Sequence, residues 1–229
     1  MAIRPLGAGS REAARRMRRL VAAAAFFFVS LQASGAQALL ISSAGDPALA
    51  GALVQDFDGE AADTFFASQT FLIGTDGFTV TPLAGELHLD DVYCAQFGTS
   101  GTCLDTMNSA NGANDDFDVI FTGGGVSAFG FALNALDTDW TVETYDASDN
   151  LLSTYVIPSQ SPGLTGNARR GYFGATESQP IQYFTVRSGA DDRALIDDFA
   201  YVPFVPAPEP NTTVLLGLGL LLLAGSRYR

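Results

Sequence analysis

The chain has 229 residues, 47% of them hydrophobic and 16% charged, and its 25 acidic residues outnumber 12 basic ones. This hydrophobic content is sufficient for a folded core. The net charge of −13 excludes nucleic acid as a partner, because a polyanion is repelled by a field of the same sign. With two cysteines and one histidine, the chain also lacks the ligands for a Cys/His zinc site.

Residues 1–38 have the three parts of a signal peptide. Six arginines and one acid precede the apolar run Leu20–Leu31, and Ala36 and Ala38 form a small-x-small cleavage site. The apolar run is shorter than the roughly 20 residues that span a bilayer. We therefore expect cleavage after Ala38 and export across the inner membrane, with an uncleaved membrane anchor as the alternative.

Residues 39–204 are predicted to form an exported all-β domain. Short runs rich in Val, Phe, Tyr and Thr alternate with Gly, Asn, Asp and Pro, at a spacing typical of a β-sandwich or jelly roll. The predicted strands are 52–57, 77–81, 117–121, 126–133, 140–145, 151–157, 181–187 and 194–201. Asp149 and Asn150 are expected to supply positive φ in one hairpin, and 61–68 is a candidate short helix.

Cys94 and Cys103 both lie in the predicted exported domain, on either side of a Gly/Ser/Thr-rich loop. In an oxidising compartment, two thiols this close in sequence indicate a disulfide. Closing a loop of this size stabilises the folded state by roughly 2–3 kcal/mol in the chain-entropy model.

Residues 205–229 form a tail of a different character. A Pro-rich linker containing Pro208, Glu209 and Pro210 is followed by an apolar run and a basic tip with Arg227 and Arg229. The charge-free span 211–226 would be about 24 Å long as a helix, whereas a hydrocarbon core is about 30 Å thick. This length predicts a short, marginal transmembrane helix. A hydrophobic C-terminal core helix is the alternative.

The ordered tail resembles the PEP-CTERM sorting signal of Gram-negative bacteria, with Pro208-Glu209-Pro210 as the sorting motif. The resemblance implies that an exosortase-type membrane protease recognises and processes the tail, so that the inner membrane holds the protein only transiently. Cell-surface or extracellular localisation and a link with biofilm follow from the same resemblance.

A second resemblance covers most of residues 50–201. The segments 55–59, 128–131, 145–151, 171–174 and 194–199 resemble exported jelly-roll domains that are joined to this tail and are similar to carbohydrate-binding modules. This resemblance implies a jelly-roll fold and extracellular polysaccharide as a partner.

A calcium site is predicted on the same basis. Four arginines and 23 acidic residues give the exported segment a net charge of −19, which favours divalent cations. In jelly rolls of the resembling type, the first and last strands are neighbours, so acids near Phe57 should approach acids near Ile196. The predicted structural calcium ligands are Asp56, Asp58, Asp197 and Asp198. The acidic run 114–118 is the second candidate, and solvated acidic loops without an ion are the alternative.

The composition argues against an enzyme. The single histidine, His88, lies in the alternating sequence Glu-Leu-His-Leu-Asp, where a sheet-surface position is expected rather than a catalytic base. No pair of acids stands out for glycoside hydrolysis. We therefore predict a non-enzymatic protein, and the two resemblances imply that it is a surface or extracellular-matrix protein associated with exopolysaccharide.

Two alternatives to this function stay open at this stage. The first is a carbohydrate-binding module, in which Trp140, Tyr145 and Tyr155 would form a stacking platform. For Trp140, a core or edge-filling position is the simpler interpretation. The second alternative is an unrecognised hydrolase, which would need two acids in one cleft.

Overall fold

The computed structural model describes residues 38–96, 101–106, 115–159, 171–188 and 192–206. The signal peptide up to Ala36 and the sorting tail with Pro208, Glu209 and Pro210 lie outside these ranges, whereas Ala38 is described and exposed. Within the ranges described, no helix combines the length and the apolar character needed to cross a membrane.

The described residues form an all-β domain with fourteen strands. In chain order they are β1 (Leu39–Ile41), β2 (Leu53–Gln55), β3 (Thr64–Phe66), β4 (Gln69–Ile73), β5 (Asp76–Pro82), β6 (Leu87–Asp90), β7 (Cys103–Asp105), β8 (Phe117–Phe121), β9 (Val126–Asn134), β10 (Trp140–Tyr145), β11 (Leu151–Ile157), β12 (Gly171–Ile181), β13 (Tyr183–Ser188) and β14 (Leu195–Pro203). A 3-10 helix, Pro47–Leu49, and the short α-helix α1, Val92–Gln96, are the described helices.

The strands form two antiparallel sheets, which confirms the predicted all-β sandwich architecture. Sheet A has the order β1-β12-β9-β14-β7-β6-β3, and β2 also pairs with β14. Sheet B has the order β11-β10-β13-β8-β5-β4. The predicted hairpin joins β10 to β11. Asp149 in its turn has the expected positive φ, 60°, whereas Asn150 does not have a positive φ. The jelly-roll connection pattern stays a prediction.

The predicted helix at 61–68 is wrong, because β3 occupies this segment. Phe66 of β3 is buried in the core and Phe65 is exposed on the opposite face, which is the two-residue alternation of a strand. Asp63, just before β3, has a φ of 57°, and a right-handed helix does not accommodate that value.

The core lies between the two sheets and is rich in phenylalanine. Phe129 and Phe131 of β9 point inward together with Leu133, as the alternation of this run predicts. Phe184 of β13 stacks on Phe129 from the opposite sheet, with ring centroids 4.2 Å apart. Because aromatic side chains bury large apolar areas, such pairs make the contact between the sheets the main source of stability.

The outer face of sheet A is partly covered by the start of the domain. Ile41 and Leu49 from residues 39–52 form a second apolar cluster with Ala128 and Ala200 of sheet A. A side chain in place of Gly174 of β12 would collide with the backbone of β9, so the glycine allows β12 to lie close to β9 at this point. Ala128 of β9 and Ala200 of β14 have small side chains, and the 3-10 helix that carries Leu49 packs on these two strands.

Further along sheet A, the disulfide-linked helix α1 covers the outer face. Cys94 of α1 and Cys103 of β7 are bonded, with 5.9 Å between their Cα atoms, which confirms the predicted disulfide. Both cysteines pack on Leu195 of β14, and all three side chains are fully buried. The disulfide loop therefore closes a small satellite core on the outer face of sheet A.

Candidate functional site

A row of residues crosses the outer face of sheet A at the edge formed by β3, β6 and β7. The strand register places Phe65 opposite His88, His88 opposite Asp105, and Asp105 opposite Leu195. In each strand a residue next to the row member belongs to the core, so the four row members point away from it; these core neighbours are Phe66, Leu87, Leu104 and Ile196. The row brings an aromatic ring, an imidazole and a carboxylate side by side.

Arg193, just before β14, pairs with two buried carboxylates at this row. Its Nε donates to Asp105 Oδ1 at 2.8 Å, and its Nη2 donates to Asp105 Oδ2 in a two-point contact. The same Nη2 lies 3.5 Å from Asp90 Oδ2. Burial lowers the pKa of Arg193, but the hydrogen bond and the charge of Asp105 outweigh it and raise the pKa above its ordinary value. The guanidinium is therefore the cation that balances this buried acidic pair.

Asp90 also fixes the position of α1. Its Oδ1 accepts hydrogen bonds from the backbone N–H groups of Val92 at 2.6 Å and Tyr93 at 2.8 Å. An aspartate ahead of a helix start satisfies N–H groups that have no partner inside the helix. Because the Cys94–Cys103 disulfide ties the same helix to β7, Tyr93 is held above the sheet at a fixed place.

His88 is surrounded by acids. Its Nδ1 lies 3.4 Å from Asp90 Oδ2 and 3.8 Å from Asp105 Oδ2. Its Nε2 lies 3.7 Å from Asp63 Oδ1, which is beyond hydrogen-bond distance, and this buried nitrogen makes no hydrogen bond. The sheet-surface position predicted for His88 is confirmed by its register.

Two aromatic rings of the site are each contacted on one face by a neighbouring side chain and remain partly open to solvent. The Phe65 ring stacks on His88 with 4.1 Å between centroids and 3° between planes, and Phe65 is 46% exposed. The Arg193 guanidinium lies 3.4 Å over the Tyr93 ring, and Tyr93 is 40% exposed. We call Phe65, His88, Asp90, Tyr93, Asp105 and Arg193 the aromatic–charged cluster.

The cluster contains a group of three residues with metal-ligand chemistry. Within the described ranges, His88, Asp90 and Asp105 are the one set of three such side chains whose ligand atoms lie within 4.8 Å of one another. Calcium, however, takes six to eight oxygen ligands, and both carboxylates here already face Arg193. A second cation would meet the like charge of that guanidinium, so a calcium ion does not fit this group while Arg193 is in place.

The predicted calcium residues lie elsewhere, around the pairing of β2 with β14. Gln55 lies opposite Phe199, so the first and last regions of the domain are neighbours, as predicted. The ligand atoms of the four acids do not form a set of three within 4.8 Å among the described residues. Asp58 Oδ1 instead accepts from the backbone N–H of Thr102, Asp56 Oδ1 accepts from the N–H of Asp58, and Asp197 is buried. Calcium binding by Asp56, Asp58, Asp197 and Asp198 stays a prediction.

The second calcium candidate, 114–118, has its described acids engaged in hydrogen bonds. Asp115 Oδ2 accepts from the backbone N–H of Asp192 at 2.7 Å, and Asp116 Oδ1 accepts from the N–H of Ser188 at 2.8 Å. Asp118 pairs with Arg187 at 2.6 Å. These contacts join the start of β8 to the loop before β14, and Asn114 lies outside the described residues.

The predicted stacking platform of Trp140, Tyr145 and Tyr155 does not form, because the three rings lie on different faces of sheet B. Trp140 is 1% exposed, and its indole N–H donates to Asp192 Oδ2 at 2.7 Å, which confirms its core position. Tyr155 also points toward the core and donates to Glu177 Oε1 at 2.9 Å. Tyr145 is on the outer face, stacked on Tyr183 with centroids 4.7 Å apart.

Sequence reasoning singled out His88 but missed the rest of the aromatic–charged cluster. The alternation Leu87-His88-Leu89-Asp90 was the available local signal, since it places His88 and Asp90 on one face of a strand. Asp105 and Arg193 are 88 residues apart in the chain, and only the pairing of β7 with β14 brings them together.

No family model matches the chain, and a search of curated proteins finds no match. Among solved structures, a DUF4465 family protein from Bacteroides caccae is similar with a TM-score of 0.41 and 9% identity, over 72% of this chain and all of that one. TmCBM61 in complex with β-1,4-galactotriose has a TM-score of 0.32 and 12% identity, over 56% of this chain and 88% of that one. The carbohydrate-binding module CBM6cm-2 of Cellvibrio mixtus lichenase 5A, in complex with cellotriose, has a TM-score of 0.26 and 11% identity, over 67% of this chain and 96% of that one. At these scores the likenesses assign neither a family nor a ligand.

Proposed function

We propose that this chain is an exported, non-enzymatic surface or matrix protein that binds extracellular polysaccharide through the aromatic–charged cluster. Signal peptidase removes residues 1–38, and the tail holds the protein transiently in the inner membrane. An exosortase-type protease then processes the tail at the motif Pro208-Glu209-Pro210. The jelly-roll-like domain, 39–204, is delivered to the cell surface or the extracellular matrix.

The observation that carries the binding proposal is the pair of exposed rings, each supported from behind. Phe65 rests on His88 and Tyr93 rests on Arg193, while both rings remain accessible to solvent. A sugar ring has an apolar C–H face and a rim of hydroxyls, so it fits a flat aromatic face that has hydrogen-bonding groups beside it. Asp63, whose side chain is 78% exposed, supplies an accessible carboxylate next to Phe65 and His88.

The cluster is also rigid before any ligand arrives. Stacking and the two-point Arg193–Asp105 contact fix the ring supports, and the disulfide fixes α1, which carries Tyr93. Side chains that are already ordered lose little conformational entropy on binding, which favours affinity for a ligand that offers only weak individual contacts.

The same contacts argue against hydrolysis at this place. A glycosidase needs one carboxyl group free to give a proton and a second one placed to act as base or nucleophile. Asp90 is engaged with α1 and Arg193, and Asp105 is bonded to Arg193 on both oxygens. The buried acids of the cluster therefore hold structure rather than offer a free acid–base pair.

Glycan binding tests the proposal. The exported, oxidised protein is screened on a glycan microarray, and the best oligosaccharide is titrated by calorimetry against Phe65→Ala, Tyr93→Ala and the control Val54→Ala. Val54 is half exposed on β2 of the same sheet. Each ring variant should weaken binding on the order of tenfold, as a central contact does, and Val54→Ala should not. An empty array, or ring variants that bind like the unmodified protein, would contradict the assignment.

Intact-mass analysis of the protein recovered from its native cells tests the export route. The expected mass begins at Leu39 and ends within the tail. A product that keeps residues 1–38 or the complete tail would refute the processing scheme without bearing on glycan binding.

A further inference from the structure

The outer face of sheet B is a second, separate surface. The strand register places Tyr145 opposite Tyr183, Tyr183 opposite Ile120, and Ile120 opposite Thr79. Leu151 of β11 extends this row at one end, and Thr70 of β4 extends it at the other. The row crosses all six strands, a distance of about 24 Å at roughly 4.8 Å per strand.

A parallel row of polar residues lies beside the first one. Glu143 of β10 is opposite Thr185 of β13, and Thr185 is opposite Asp118 of β8. Thr81 of β5 and Thr154 of β11 continue the row toward the two edges. We call these two rows the sheet B face.

The charged groups of the sheet B face are already satisfied. Glu143 Oε2 accepts the hydrogen bond of the Tyr145 hydroxyl at 2.7 Å, and this bond raises the pKa of Tyr145 to about 12. Asp118 accepts from Arg187 at 2.6 Å, and Arg187 also donates to the carbonyl oxygen of Phe117. Asp118 is thus balanced by Arg187, Glu143 remains an anion that a neutral hydroxyl binds, and the rest of the face presents hydroxyl groups and rings.

One hydroxyl of this face is buried without a partner. Thr185 is 8% exposed, and its Oγ1 makes no hydrogen bond. A buried polar group of this kind costs free energy unless a partner reaches it. Its position between Glu143 and Asp118, in the middle of the polar row, indicates a place where a ligand hydroxyl would complete the bonding.

We propose that the sheet B face binds one strand of an uncharged polysaccharide, laid across the six strands. Ring and aliphatic surfaces at Tyr183 and Ile120 would contact the apolar faces of successive sugars, and threonine hydroxyls would exchange hydrogen bonds with sugar hydroxyls. The exported segment's net charge of −19 opposes both an anionic polymer and a second copy of the protein. A cationic partner would meet Arg187 beside Asp118, and Glu143 already accepts the hydrogen bond of the Tyr145 hydroxyl.

The consequence is a bivalent protein. The aromatic–charged cluster lies on the outer face of sheet A and the second site lies on the outer face of sheet B, so the two sites face opposite sides of the sandwich. One molecule would then join two polysaccharide strands, and the gain in avidity would come from simultaneous engagement. This inference adds a second site to the proposed function. It can be wrong while the proposed function remains correct.

Affinity electrophoresis of the exported, oxidised protein tests the second site. Native gels contain hydroxyethylcellulose as a neutral probe or alginate as an anionic one. Tyr183→Ala and Thr79→Glu should each weaken retardation by hydroxyethylcellulose on the order of tenfold, and Val54→Ala should leave it unchanged. Thr79→Glu adds a charge to an existing surface without removing any core side chain, and thermal melting of every variant checks that it is folded.

The outcomes separate the two proposals. Loss of binding in Tyr183→Ala and Thr79→Glu, with alginate giving no retardation, supports the sheet B site. Loss of binding in Phe65→Ala alone overturns the sheet B site and leaves the proposed function standing. If hydroxyethylcellulose does not retard the unmodified protein, the sheet B site as stated is also overturned. Preference for alginate overturns the uncharged ligand.

Discussion

Two Arg–Asp pairs provide a sharp test of how the cluster is held, because one is a buried two-point contact and the other a more exposed single contact. Asp105 pairs with Arg193, and their side chains are 0% and 20% exposed. Asp118 pairs with Arg187, and their side chains are 33% and 30% exposed. Removing one partner of a buried pair costs about 3–5 kcal/mol, because a charge is left without compensation, whereas exposed pairs contribute about 0.2–1 kcal/mol.

Asp105→Asn should therefore lower the free energy of unfolding by about 3 kcal/mol, the lower end of that range, because Asp90 still faces Arg193 at 3.5 Å. Asp118→Asn should cost less than about 1 kcal/mol. For a domain of this size the two losses correspond to Tm shifts of about 6–12 °C and at most about 4 °C.

The assay is urea unfolding of the oxidised protein at pH 7, followed by fluorescence. Trp140 is the single tryptophan and is 1% exposed, so its emission reports loss of the core. Adding Arg193→Met to Asp105→Asn should recover part of the loss, since the uncompensated cation is removed. Equal costs for Asp105→Asn and Asp118→Asn would refute the role assigned to the buried pair.

Three further predictions concern stability. Replacing both cysteines by serine should cost about 2.7 kcal/mol for a loop of roughly ten residues, measured by urea unfolding, and a loss below about 1 kcal/mol would count against the disulfide's role. Hydrogen bonds from the Asn150 side chain and from backbone N–H groups hold the pKa of Asp146 below its ordinary value of 3.8. The stabilisation from Asp146 is therefore present above pH 3.8 and is lost as the pH falls through the lower folded value. The Tm difference between Asp146→Ala and the unmodified protein should shrink as the pH is lowered below 3.8, and a constant difference would contradict this. If Asp56 and Asp197 bind calcium, millimolar-scale Ca²⁺ should raise the Tm above that in EDTA, and identical melting curves would exclude a stabilising ion.

The sequence predicted the strands well where two-residue alternation is strong. The runs at 117–121, 140–145 and 151–157 match β8, β10 and β11, because alternate residues of each run had to enter one core. The run at 61–68 failed because its strand has only three residues. A strand so short carries no periodicity by which it could be told from a helix.

The candidate site could not be derived in the same way, because its members come from distant parts of the chain. Phe65, His88, Asp105 and Arg193 meet only through the pairing of β3, β6, β7 and β14. The sequence led instead to Asp56 and Asp197, because these acids stand out in it and the resembling jelly rolls place the first and last strands side by side. The sequence does not show which carboxylates are held by backbone N–H groups or by Arg193.

An NMR titration of the oxidised, exported protein with the best-binding oligosaccharide, using ¹³C-labelled aromatic side chains, tests saccharide binding at the aromatic–charged cluster most directly. The account predicts that the ring signals of Phe65 and Tyr93 shift in step with occupancy, while the ring signals of the buried core, such as those of Phe129, stay in place. Saturable binding that leaves both Phe65 and Tyr93 unperturbed would contradict the account.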